Sequence, residues 1–152
     1  MLTTSELPAA ACREVRDACL CLASQRAARR LARRFDRAFQ PVGLTNGQFS
    51  ALMFLAGSGG ASPSRLADLL AMDRTTVTAL LKALSRRGLV AVEAGARDRR
   101  TRLAAVTPAG SQALAAALPI WRAEHAALEA ALPPVAEGRA VLAALALAPL
   151  TD

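Results

Sequence analysis

Tyrosine is absent from this chain, histidine occurs once, and aromatic residues make up only 3% of its 152 positions. With one histidine and no His/Cys/Asp/Glu cluster at metal-ligand spacing, neither a zinc site nor a His-centred relay is expected. A glycine-rich phosphate loop is missing too, so the sequence carries no enzyme motif and implies no cofactor. Long hydrophobic runs are also lacking. No segment reaches the roughly 18 apolar residues of a membrane span, and the opening MLTTSELP has no basic lead into an apolar run. The expectation is a soluble, cytoplasmic protein without a membrane partner. Cysteine is scarce and odd in number (Cys12, Cys19 and Cys21), which argues against a disulfide framework. Internal repeats and long linkers are absent, so residues 1–152 read as a single domain built around one core.

What is present is alanine, leucine and positive charge. Hydrophobic residues make up 53% of the chain and the formal net charge is +7. The first favours a helical body, and the second a polyanionic partner such as nucleic acid or acidic lipid. Placement of the cations decides between these partners. From Ser62 to Arg102 the order is a short helix, a turn, a second helix and a basic hairpin. Ser62 is the expected N-cap of the first helix, with Pro63 at the first helical position and Leu66, Leu69 and Leu70 as its buried stripe. After an Ala71-Met72 turn, Asp73 caps the second helix. Its apolar residues Val77, Leu80, Leu81 and Leu84 recur at helical spacing until Gly88 stops it.

The opposite face of that second helix carries Arg74, Thr75, Thr76, Thr78, Ala79, Lys82 and Arg86. Small hydroxyls among cations suit a major groove. Threonine bonds base edges and offers a methyl to thymine, while Arg and Lys bind guanine or neutralise phosphates. Leu89 to Val92 and Arg102 to Val106 then read as paired strands around a turn-prone tip containing Arg97, Asp98, Arg99 and Arg100. An arginine there fits the enhanced negative potential of a narrow minor groove, with Asp98 placed to hold Arg100 extended. The expected architecture is therefore mainly α with a small β-wing, a winged helix-turn-helix. Its lobe spans about 44–106 and is flanked by helices at about 8–40 and 107–148.

The stretch resembles the DNA-binding lobe of the multiple-antibiotic-resistance regulator (MarR) family. The resemblance is carried by Leu66-Ala67-Asp68-Leu69-Leu70, Asp73-Arg74-Thr75-Thr76-Val77-Thr78, Arg86-Arg87-Gly88-Leu89-Val90, Asp98-Arg99-Arg100 and Leu103 to Gly110. Upstream, Gly43-Leu44-Thr45 and Gln48-Phe49 also match. It implies a second helix that enters the major groove and a wing whose Asp98 and Arg100 serve the minor groove. Ala79 departs from the pattern, because many relatives carry a longer polar or basic residue there.

The flanking segments read as helices in need of a partner. Arg26, Arg29, Arg30, Arg33, Arg34 and Arg37 share a helical pattern with Leu31, Phe35, Ala38 and Phe39, running from about Pro8 to Gln40. Beyond the wing, Thr107-Pro108 starts a helix toward Leu132 in which Pro119 should introduce a kink. Pro133 and Pro134 then precede a last helix, about Val135 to Leu147. Long apolar helices beside a small lobe favour a homodimer, whose two recognition helices about 34 Å apart would read an inverted repeat in double-stranded DNA.

Trp121 and His125, four residues apart, share one side of a helix and could line a small-molecule pocket. Family resemblance implies release of DNA on binding aromatic or phenolic effectors, with Phe35, Phe39, Phe49 and Met53 placed near that pocket. Some relatives instead sense peroxide through an N-terminal cysteine, which makes Cys12, Cys19 and Cys21 redox candidates. Those sensors use tyrosines that this chain lacks. The expected function is a ligand-responsive homodimeric repressor. The alternatives are a thiol-based regulator of the same fold or a winged-helix protein-interaction module, and salt dependence separates DNA binding from an apolar protein interface.

Overall fold

A computed structural model describes residues 8–94, 102–132 and 135–147. The N-terminal segment, expected as one helix, is two: α1 (Ala9–Ala18) and α2 (Leu20–Ala38). Cys19 is extended between them (φ −73°, ψ 106°), and its Sγ accepts the Leu22 N–H at 3.4 Å. The thiol occupies the N-cap position usually held by Ser, Thr, Asp or Asn. Cys12 and Cys19 therefore share no continuous helical face, contrary to what their spacing suggests. Past α2, Pro41 lies in a 3₁₀ turn (Gln40–Val42), and Gly43 closes that turn in the left-handed region at φ 65°.

Helix α3 (Asn46–Ser58) starts with a capping box: Thr45 Oγ1 accepts the Gln48 N–H at 3.2 Å, and Gln48 Oε1 accepts the Thr45 N–H at 3.2 Å. This reciprocal pair satisfies two N–H groups that the helix itself leaves free. Phe49, Ala51, Leu52 and Leu55 of α3 are all buried and sit at the centre of the core. Rings join α3 to α2, with Phe39 4.8 Å from Phe49 and 5.9 Å from Phe35 between centroids.

The expected caps form. Ser62 Oγ accepts the Arg65 N–H at 3.2 Å and opens α4 (Pro63–Leu70). Ala71 turns the chain at φ 50°, and α5 (Arg74–Arg86) follows. The buried stripe of α4 is Leu66 and Ala67, backed by Leu70. Leu69, expected in that stripe, is 44% exposed, because the face shared by positions 66, 67 and 70 is the one turned inward. Val77, Leu81 and Leu84 of α5 are buried as their spacing predicts.

Strands β1 (Val90–Ala94) and β2 (Arg102–Val106) pair antiparallel, from Val90 opposite Val106 to Ala94 opposite Arg102. Ala61 adds a bridge to Ala104 that the sequence did not signal. Helix α6 (Pro108–Ala131) carries Pro119 inside one continuous element, and its buried residues, Gly110, Leu114 and Ala117, all lie in its N-terminal half. The last helix is α7 (Val135–Leu147). The mainly α architecture with a small wing is thus the one expected.

Candidate nucleic-acid interface

Helix α5 is fixed at both ends before its outer face is considered. At its start, Asp73 accepts the Thr76 N–H at 2.8 Å and the Thr76 hydroxyl at 2.5 Å. The Thr76 hydroxyl, with help from its backbone N–H, holds the Asp73 carboxyl below its usual range. A carboxylate at a helix N-terminus also complements the macrodipole. At the other end Gly88 adopts φ 69°, so the chain reverses into Leu89, whose N–H donates to Leu84 O at 3.0 Å.

Between these stops, Arg74, Thr75, Thr76, Thr78, Lys82 and Arg86 are all exposed. The Thr78 hydroxyl donates to Arg74 O at 2.7 Å, which leaves its lone pairs and methyl for an outside partner. Thr76 donates its proton to the cap, so its remaining capacity is as an acceptor. Such a face can accept from base amines, contact a thymine methyl and donate to phosphates.

Thr78, Lys82 and Arg86 also line a cleft of about 350 Å³, together with Pro63, Leu81, Ser85, Val92 and Arg102. Three cations and no carboxylate line it. Arg102 was not singled out from the sequence. Its signal was available, since it ends the basic run after Asp98 and begins a strand that must return beside α5. The wing-tip residues Asp98, Arg99 and Arg100 lie outside the described residues.

Thr107 ties the wing to α5. Its hydroxyl donates to Gly88 O at 2.6 Å and accepts the Gly110 N–H at 3.1 Å, while its own N–H donates to Leu89 O at 3.1 Å. Gly110 is required for this approach, because a Cβ there would lie 2.2 Å from Leu89 O and 2.7 Å from Val106 Cγ1. The Thr-Pro-x-Gly run thereby fixes where β2 leaves the lobe.

The proposed effector residues do not come together in one cavity. Phe35, Phe39 and Phe49 are core residues packed on one another, and Met53 lies with Phe54 and Leu69 in a separate surface depression. Trp121 and His125 do meet, with ring centroids 4.7 Å apart. They line a cleft of about 440 Å³ with Arg122, Ala126, Glu129 and Arg139. Glu129 there pairs with Arg139 and lies 3.5 Å from His125 Nδ1. The family resemblance places these residues near one pocket, whereas burial of the three phenylalanines separates them from Trp121 and His125. Cys12 and Cys21 are exposed and Cys19 is half-buried; Gln25 Nε2 donates to Cys21 Sγ at 3.2 Å.

A capped helix, a left-handed turn, an outward-facing basic helix and a two-stranded wing define a winged helix-turn-helix. Residues 42–101 match the MarR family model. The solved structure of the M. tuberculosis transcriptional regulator MosR in complex with DNA is 40% identical. It superposes with a TM-score of 0.78 over 86% of this chain and 95% of that one. BpsR of Bordetella bronchiseptica, whose DNA binding is regulated by 6-hydroxynicotinic acid, is 28% identical, with a TM-score of 0.66 over 84% of this chain and 94% of that one. A transcriptional regulatory protein for the hcr operon of Thauera aromatica is 34% identical over 73 residues, 48% of this chain and 44% of that relative's length. The chain belongs to the MarR family of transcriptional regulators.

Proposed function

We propose that this protein is a homodimeric repressor that binds an inverted-repeat operator and releases it when a small aromatic or phenolic effector binds. The observation that carries the reading is the exposed hydroxyl-and-cation face of α5, continuous with a cleft lined by Lys82, Arg86 and Arg102. Helix α5 enters the major groove, where Arg74, Thr75, Thr76 and Thr78 meet base edges and Lys82 and Arg86 meet phosphates. Asp98, Arg99 and Arg100 of the wing serve the adjacent minor groove. MosR, the similar structure with DNA, supports this use of the fold.

The dimer is supported by apolar side chains left in solvent on the terminal helices and at the end of α6: Val15, Leu20, Leu132, Val141, Leu142 and Leu145. A second copy gives them cover and presents two copies of α5 to two half-sites. Among the described residues no helix is long and apolar enough to cross a membrane, in keeping with a cytoplasmic regulator.

The effector site is the cleft at Trp121 and His125, and BpsR is a relative whose DNA binding answers to an aromatic acid. A ligand shifts DNA binding only through different affinities for the DNA-competent and incompetent dimers, so the coupling is reciprocal. The competing trigger is oxidation of a thiol, favoured by the exposure of Cys12 and Cys21 and by the capping role of Cys19.

A genomic-fragment selection tests the first part and should return an inverted repeat. Trp121 reports the second. Small aromatic acids should quench its fluorescence, and the best quencher should bind more weakly once operator is present. If no aromatic ligand shifts DNA binding, while serine at all three cysteines abolishes a response to peroxide, the thiols are the sensor.

A further inference from the structure

Helix α5 packs mainly on α4 and β1, whereas α2 packs on α3 and α6. The recognition helix and the N-terminal dimerisation helix therefore rest on different neighbours. Among the described residues a polar chain connects them. Asp36 of α2 accepts the Asn46 N–H at 2.7 Å, which anchors the first turn of α3. The adjacent capping box orients Gln48 through Thr45, and Gln48 Oε1 also accepts from Arg87 Nη1 at 3.1 Å. Arg87 is the C-cap of α5. Its guanidinium lies over Gly43, where a Cβ would approach Nη2 to 3.3 Å on a left-handed backbone.

We propose that Arg87 is a positioning residue that, through Gln48 and the Asp36-anchored start of α3, fixes the end of the recognition helix relative to the dimerisation helix. It thereby sets the half-site separation that the dimer prefers. Three features support this over a solvated surface arginine. Gln48 Oε1 is shared between the cap and the guanidinium, so its position is determined from both sides. The contact joins residues 39 apart in sequence. A cation at the C-terminus of α5 also complements the helix dipole.

The inference rests on the proposed dimeric reading of DNA, and its test separates the two. Full-length wild type, Arg87→Met, Gln48→Met and the double variant are titrated against three kinds of duplex: the selected operator, operators with half-sites moved by one base pair, and a non-operator duplex. Wild type should prefer the native separation. Each single variant should reduce that preference by about three- to tenfold, and the double variant by no more than either single, as for partners in one link. Affinity for the non-operator duplex should stay within about twofold of wild type, because no phosphate contact has been removed.

A spacing preference unchanged in Arg87→Met overturns the inference. So does a uniform loss on every duplex with the salt slope reduced by about one while Gln48→Met binds like wild type, since Arg87 would then be a phosphate contact. Because Gln48→Met also removes half of a capping box, its thermal midpoint is measured alongside. If it unfolds, the non-operator arm of Arg87→Met decides. Wild type that binds no duplex would instead overturn the DNA reading itself.

Discussion

The lobe from α3 to β2 and the terminal helices α1, α2 and α7 draw on the same residues, alanine and leucine, and meet opposite fates. In the lobe Leu52, Leu55, Leu66 and Leu84 are fully buried, while on the terminal helices Leu20 is 68% and Leu142 58% exposed. Helix α1 buries nothing, and α2 buries Phe35 alone. Helix α2 packs on α3 and α6, yet many apolar side chains of α1, α2 and α7 stay in solvent. The core centred on the lobe also takes in Phe35, Phe39, Leu114 and Ala117, whereas the exposed apolar faces of the ends are what the proposed dimer would cover. The proposed reading of two half-sites draws on both regions.

The largest effects should separate those regions. Leu52→Ala removes a fully buried side chain from the centre of the lobe, and should lower unfolding stability by about 2–5 kcal/mol. Leu142→Ser should leave the unfolding of a dilute monomer nearly unchanged and weaken self-association instead, read by sedimentation across a concentration series. Equal losses in both assays would break the contrast. Arg100→Ala should weaken DNA binding by about 1–3 kcal/mol across many sequences without loss of fold, measured by operator titration at fixed salt. Affinity within a few tenths of a kcal/mol of wild type would remove the wing from the account.

A smaller gain is expected at the turn before α5. Ala71 holds φ 50° with no glycine to ease it, so Ala71→Gly should raise stability by up to about 1 kcal/mol, the strain relieved less the added freedom of the unfolded chain. The smallest effect is in acid. Asp73 is held below its usual range by Thr76, so the folded protein binds fewer protons there than the unfolded chain. Its contribution is present above the unfolded value and fades as pH falls through the lower folded one. Asp73→Asn should flatten the acid limb of stability against pH. An identical limb in both proteins would deny Asp73 that role.

Legibility in the sequence followed the local signals. Ser62-Pro63, Asp73, Gly88 and Thr107-Pro108 each announced a helix end, and each serves that end in the structure. Helix α3 was not read as an element, although its Phe49, Leu52 and Leu55 form the middle of the core. Apolar residues such as Met53 and Phe54 continue around its other side, so it shows no stripe for periodicity to catch. The break at Cys19 was hidden because neither glycine nor proline marks it, and sulfur is an uncommon cap. The three phenylalanines expected near an effector pocket lie in the core. An aromatic residue beside a helix looks the same in sequence whether it faces a ligand or another ring. Arg102 and the Arg87–Gln48 contact escaped for another reason: both depend on segments brought together only by folding.

On the proposed reading, the outer face of α5 and the wing bind a polyanion as a dimer. Operator affinity measured at about 50 and 200 mM salt tests it most directly. Phosphate neutralisation predicts a fall of about a hundredfold or more over that range, with the logarithm of affinity linear in the logarithm of salt. Affinity that barely changes would contradict the account and mark the same surface as an apolar protein interface.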